Sequence, residues 1–407
     1  MGCDRSSLPA AMMLALGLTL AGDPALAQPR YDPGASDTEI KIGHIVPYSG
    51  LASPYGVIGK TEAAYFDKIN AAGGVNGRKI RFISYDDGYN PAKTMEHARK
   101  LVESDEVLLI FNSLGTPTNT AIRKYMNNKK VPQLFIATGA SKWNDPKQFP
   151  WTMGWQPSYQ SEARIYARYL LEHHPGGKIG ALYQNDDYGK DYLKGLKDGI
   201  AGRMPILEVP YEATATTLDS ELVSLKASGV DILFDVAGPK FVIQMIRKLV
   251  ELDWRPVHVL NNVSIAIGSV LKPAGPENAQ GILSTNYLKD PVDPAWSNDP
   301  GLEQWLAFMT RYYPEGDKTN VFTVYGYSVA QTLVQVLGQC GDDLTRENVM
   351  RQAANLHDLR LPMVLPGIAI NTRPDHYAPI EQMQMMRFTA ESWALFGPIL
   401  KGEAGGT

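Results

Sequence analysis

An alternation of short apolar runs with helical patterns constrains this chain most. It runs to about residue 136 and then starts again. Ile40–Val46, Lys79–Tyr85, Val107–Phe111 and Val131–Ile136 read as strands. Val57–Ala71, a segment opened by Pro91, and Thr118–Asn128 read as the helices between them. Met95, Ala98, Leu101 and Val102 recur at helical spacing, whereas Val107–Phe111 is apolar throughout, as suits a strand covered on both faces. The second series opens with a helix at Ser158–His173. Strands follow at Lys178–Tyr183, Ile206–Val209, Asp231–Val236 and Val257–Leu260, separated by helices at Asp191–Ile200, Leu218–Ala227 and Phe241–Leu252. Strand–helix–strand units build parallel sheets flanked by helices. Two such series, joined around residues 150–157, predict two α/β lobes with a ligand cleft between them. Beyond them, Gly281–Tyr287 and Glu381–Phe388 read as strands, and 301–312, 323–337 and 345–353 as helices.

At 407 residues the chain exceeds one ordinary core. Its start reads as an export leader, residues 1–27. Arg5 precedes an apolar stretch, Ala10–Ala21, and Ala25-Leu26-Ala27 offers a small-x-small cleavage pattern. That stretch is short for a bilayer span, and Gln28–Asp37 is polar and rich in Pro and Gly; nothing after residue 30 is long and apolar enough to cross a bilayer, so the mature chain is expected not to be membrane-spanning itself. Export of the mature chain is expected. Cys3 would leave with the leader. Cys340 then stands alone, excludes a disulfide within the mature monomer, and is expected to be buried and inert. A formal net charge of -4 with no basic stripe argues against nucleic acid as a partner.

Catalytic signatures are absent. The turn after Gly43 lacks the glycine spacing that cradles a dinucleotide, and no phosphate loop or nucleophile elbow occurs. The seven histidines are scattered. His173-His174 are expected to close a helix, where imidazole meets the favourable end of the dipole. Asp86-Asp87 and Asp186-Asp187 end predicted strands. Their first reading is turn and helix-start chemistry, with ligand contact and acid–base work as lesser readings. No enzyme activity, cofactor or metal is expected.

Strand exits supply the candidate ligand groups. Tyr55 follows the first strand in a Pro/Ser/Gly-rich turn. Ser113, Gly115 and Thr116 follow the third, and Gly139 and Ser141 the fourth. Their hydroxyls and N–H groups suit an anionic ligand group. Tyr188 would enter from the second lobe.

The segments IKIGHIVPYSG (Ile40–Gly50), INAAGGVNGRKI (Ile69–Ile80), YDDGYNPAKT (Tyr85–Thr94), VPQLFIATGAS (Val131–Ser141) and NDDYGKDY (Asn185–Tyr192) occur in this order. With them the chain resembles the periplasmic branched-chain amino acid-binding proteins, solute receptors of ABC importers, over roughly Ile40–Leu400. The resemblance implies a type I periplasmic-binding-protein fold with two lobes, three crossovers and closure on the ligand. Lobe one is expected at 38–156 and 282–364, lobe two at 157–281 and 365–400, with 401–407 a loose tail. It further implies a monomer that meets an ABC permease. In the family's amino acid receptors the groups matched by Tyr55, Ser113–Thr116, Gly139, Ser141 and Tyr188 hold the ligand carboxylate, and an acid after the seventh strand holds the ammonium. Here Val236–Phe241 contains no acid, and Asp235 falls a few residues early. A buried ammonium without an acceptor is expensive. The expected ligand is therefore a small carboxylic acid without an α-amino group, an aromatic one included. Its body would meet Tyr55, Tyr188, Phe241 and Tyr287, and Tyr188 would face Ser141 across the cleft. A receptor for a branched-chain or aromatic amino acid or an amide is the alternative, restored if Asp235 reaches the pocket. An extracellular sensing module is another.

Overall fold

In the computed structural model, residues 1–2 and 29–402 are described. The leader beyond residue 2, with Cys3, and the tail from residue 403 lie outside the described residues.

The first series folds as β1 (Arg30–Tyr31), β2 (Glu39–Val46), α1 (Gly56–Ala71), β3 (Lys79–Asp86), α2 (Pro91–Glu103), β4 (Leu109–Phe111), α3 (Thr116–Lys129), β5 (Gln133–Ile136) and β6 (Thr152–Gly154). The second comprises α4 (Tyr159–His173), β7 (Ile179–Gln184), α5 (Asp187–Ile200), β8 (Ile206–Tyr211), α6 (Asp219–Ala227), β9 (Ile232–Val236), α7 (Pro239–Glu251), β10 (Val257–Leu260), α8 (Lys272–Ala274) and β11 (Leu283–Asn286). Helices α9 (Pro300–Tyr312), α10 (Val321–Cys340) and α11 (Arg346–Ala353) follow, with β12 (Asp343–Leu344) between the last two. The hairpin β13 (Gln382–Thr389) and β14 (Ser392–Lys401) completes the fold.

Two sheets result. One has the order β3-β2-β4-β5-β6 and the other β14-β13-β11-β10-β9-β7-β8, with a small β1-β12 pair beside them. All pairings in the first are parallel. The second is parallel until β13 and β14 add antiparallel strands at one edge. In each sheet the first strand of its series pairs on both sides, so strand order reverses at β2 and at β7. Ligands of open α/β sheets bind outside the carboxyl ends of strands at such reversals.

Local chemistry explains several boundaries. Helix α5 starts four residues before the sequence pattern suggests. The Asp186 carboxylate accepts the N–H groups of Tyr188 and Gly189 and fixes the helix start there. Strand β8 continues through Pro210 because it is an edge strand and the missing N–H faces no neighbour. Ser158 caps α4, and α4 ends at His173 with His174 as its C-cap, as the sequence predicts. Strands β6 and β14 carry no signal that the sequence reading recognised.

The chain passes between the sheets after β6, after β11 and before β13. Strand β11 belongs to the second sheet, so the return to the first lobe follows Asn286 rather than residue 281. Residues 369–377 hydrogen-bond to residues 353–359 and to Asn144 of the first lobe, so that lobe extends past residue 364. Both differences arise because sheet pairing, not the alternation of elements, assigns a segment to a lobe.

Candidate functional site

The carboxyl ends of both sheets enclose a cavity of ≈ 530 Å³. Tyr55, Tyr89, Gly115, Thr116, Phe322 and Tyr325 line it from the first lobe. Tyr159, Gln184, Asp186, Tyr188, Phe241 and Asn262 line it from the second, and Asn286 and Tyr287 from the strand that joins them. The lobes are closed on it. The Tyr55 hydroxyl donates to the Val263 carbonyl of the second lobe at 2.8 Å. Lys240 Nζ donates to the Gly50 carbonyl at 2.7 Å, and Lys142 pairs with Asp187.

Of the helices that begin at the cavity, two, one from each lobe, have a glycine at the N-cap. Their N-caps are Gly115 for α3 and Gly238 for α7, and neither makes a side-chain cap bond. Their N-termini therefore present a partial positive charge to whatever lies between the lobes. Gly115 has φ of 103°, and a Cβ there would come within 2.5 Å of the Tyr89 ring, so only glycine fits beneath that tyrosine.

Asp186 is the one carboxylate among the described lining residues, and no Lys or Arg joins it. Burial holds its pKa above the usual carboxylate range; the Gln184 amide and the N–H groups of Gly189 and Tyr188 oppose that rise. The acid carries two tasks at once. It caps α5, and it faces the cavity without a cation.

The structure separates the sequence candidates. Tyr55, Gly115, Thr116, Tyr188, Phe241 and Tyr287 line the cavity. Ser113, Gly139, Ser141 and Asp235 do not. The Ser113 hydroxyl turns into the lobe and bonds Asn119 Oδ1. The Gly139 carbonyl accepts the Tyr159 N–H at 2.7 Å, and a Cβ at Gly139 would strike the Tyr159 ring at 2.7 Å. Ser141 does not face Tyr188 around a ligand. Its N–H and hydroxyl bond the two oxygens of Asp191, at 2.8 and 2.7 Å, where α5 packs against the first lobe. Asp235 is 1 % exposed and bonds His258 Nε2 at 3.0 Å beneath the second sheet's strand ends, so it does not reach the pocket.

Other expectations resolve as follows. Asp86 and Asp87 do turn chemistry: Asp86 Oδ1 accepts N–H bonds from Tyr48, Ser49 and Gly88, and Asp87 accepts from Tyr89 and Thr94. Cys340 is buried, which pushes its thiol up to about 12. Among the described residues no group of three or more His, Cys, Asp or Glu could hold a metal, and no helix is long and apolar enough to cross a membrane.

Sequence reasoning missed Tyr89, Gln156, Tyr159, Gln184, Asn262, Asn286, Phe322 and Tyr325 as lining residues, and it weighted Asp186 toward turn chemistry. Tyr89 had a signal, since it closes the Asp86-Asp87 strand exit. Phe322 and Tyr325 lie on α10, far along the chain from any strand exit, and nothing local marks them.

The profile of the family described as "Periplasmic binding protein" matches residues 39–392. The chain belongs to this family. Among its relatives, Leu/Ile/Val-binding protein homolog 1 of Brucella suis biovar 1 (strain 1330) is 23 % identical over 339 residues, 81 % of this chain and 86 % of that protein. A fatty acid ABC transporter substrate-binding protein from Thermomonospora curvata superimposes with a TM-score of 0.78 at 20 % identity, covering 92 % of this chain and 95 % of the other. A branched chain amino acid ABC transporter from Thermus thermophilus with bound valine superimposes with a TM-score of 0.80 at 16 % identity, covering 89 % and 97 %. At these identities the structural matches establish the fold: two lobes, each a mostly parallel sheet flanked by helices. Membership of the family makes the chain a periplasmic binding protein, and not an enzyme.

Proposed function

We propose that this receptor captures an amino acid with a bulky, aromatic-compatible side chain and delivers it to an ABC permease. The observation that carries this reading is Asp186: a partly buried carboxylate lining a cavity that no lining Lys or Arg neutralises. A carboxylate withdrawn from water without a cation attracts a ligand ammonium. The uncapped start of α3, with Thr116, suits the ligand carboxylate. Tyr55, Tyr188, Phe241 and Tyr287 surround the side chain. This replaces the expectation of an acid without an amino group. That expectation rested on the absence of an acid at the exit of β9, whereas the cavity's acid comes from the exit of β7. The relatives named for Leu/Ile/Val binding and the valine-bound neighbour support the same class.

Calorimetric titration of ligand-stripped protein tests the reading. L-phenylalanine and L-leucine should bind at least tenfold more tightly than phenylpropionate, which lacks the ammonium. Equal affinity, or binding confined to phenylpropionate, would refute it.

A further inference from the structure

We infer that Asn286 selects ligands carrying a carbonyl-type acceptor on the side chain, remote from the amino acid head group. This deepens the amino acid reading and rests on it for the head group alone. Asn286 ends β11, is 2 % exposed and lines the cavity. Its amide orientation is fixed by chemistry. Oδ1 accepts the N–H groups of Tyr287 at 2.9 Å and Leu288 at 3.1 Å, and only the oxygen can accept two donors. Nδ2 is therefore the free end, and no group among the described residues accepts from it. A buried amide donor left without a partner is costly, and a ligand oxygen at that position removes the penalty.

Topology sets the distance. Asp186 follows β7 and Asn286 ends β11, and the sheet order β7-β9-β10-β11 separates them by three inter-strand steps. At ~4.8 Å per step that is about 14 Å between backbones, and the same between the two polar ends when the side chains project in parallel. A hydrogen bond of ~2.9 Å at each end leaves roughly 8–9 Å between the ligand's ammonium and its acceptor. Leucine and valine have no acceptor there. A rigid aryl spacer bearing a carbonyl spans the gap. The cavity has the room: ≈ 530 Å³ equals about 18 water volumes at ~30 Å³ each.

Calorimetry of four probes tests this: L-phenylalanine, para-acetyl-L-phenylalanine, and their deaminated twins phenylpropionate and para-acetylphenylpropionate. In the wild type the acetyl group should tighten binding about tenfold on the scaffold that binds. Asn286→Asp keeps the oxygen that Tyr287 and Leu288 use and replaces the donor with an acceptor. It should abolish the acetyl preference or reverse it, with unliganded thermal unfolding as the control for folding. Should that variant not fold, Asn286→Ala read by the same ratio takes its place. An acetyl-to-parent ratio near one in the wild type, or a ratio unmoved by substitution, overturns the inference while leaving the amino acid reading intact. Binding of the deaminated pair alone, with the acetyl preference retained, sinks the amino acid reading and upholds the role of Asn286. No binding by any of the four refutes both.

Discussion

Asp186→Asn separates the two tasks of that residue. Asp186 Oδ1 accepts from Tyr188 N at 2.9 Å and from Gly189 N at 3.4 Å, bonds that an asparagine oxygen retains. Asp186 Oδ2 accepts from Gln184 Nε2 at 2.5 Å. In the variant two amide nitrogens would meet there, and Gln184 must turn its oxygen inward. That oxygen now accepts only a long 3.4 Å bond from the Tyr211 hydroxyl, so the turn sacrifices little. The fold and the α5 cap should survive. What disappears is the charge. A unit pair at ~4 Å is worth about 4 kcal/mol at an effective dielectric constant of ~20. The neutral amide oxygen recovers part of this by accepting a hydrogen bond from the ammonium. The net loss should be about 2–3 kcal/mol, a roughly 30- to 140-fold weaker Kd for L-phenylalanine. Phenylpropionate should bind the variant at least as well as the wild type, because a like charge has gone. The wild type should also lose amino acid affinity as pH falls through the raised pKa of Asp186, and the variant should not. Isothermal calorimetry with both ligands reads all of this. An equal change for both, or none, would show that Asp186 only caps a helix.

Two further outcomes follow from the geometry. Tyr188 is 5 % exposed and packs edge-on against Tyr159 and Tyr192, with ring centroids 5.3 and 5.7 Å away. Because one side of its ring faces the cavity, Tyr188→Ala should destabilise by about 3 kcal/mol, the lower end for a large buried aromatic, and weaken ligand binding about tenfold. Unchanged calorimetric affinity would remove Tyr188 from the site. Burial raises the Asp290 carboxyl from 3.8 to about 7, against the Val292 N–H that lowers it. An acid with a raised folded pKa contributes stability that is fully present below its unfolded pKa and lost as pH rises through the folded one. Asp290→Asn should therefore flatten the fall in stability between pH ~4 and ~7, a difference of up to about 4 kcal/mol. Urea unfolding of both proteins at pH 5 and pH 8 measures it. Parallel pH slopes would contradict the assignment, and Glu162, also raised to about 7, keeps a common slope in both.

The α/β plan was legible in the sequence because its causes are local. The run Val107–Phe111 is wholly buried, and the periodic Ala98 and Leu101 are 0 % exposed, so burial follows the pattern that predicted it. The cavity-lining Gly115, Thr116, Tyr55 and Tyr188 were legible for the same reason. Each sits at a strand exit, and strand exits of parallel sheets gather at one end. The sequence could also tell that Ser141 would bond something and that Asp186 would cap something. It could not tell what. Ser141 satisfies Asp191 because α5 packs beside it, 50 residues along the chain. Asp235 is spent on His258 because β10 pairs with β9. Tyr55 closes the cleft through a carbonyl 208 residues away. Capping, periodicity and turn chemistry depend on neighbours within a few positions, so the sequence determines them. Which polar atom is left facing the cavity depends on every element packed around it, and only the tertiary structure assigns that to Asp186 and Asn286.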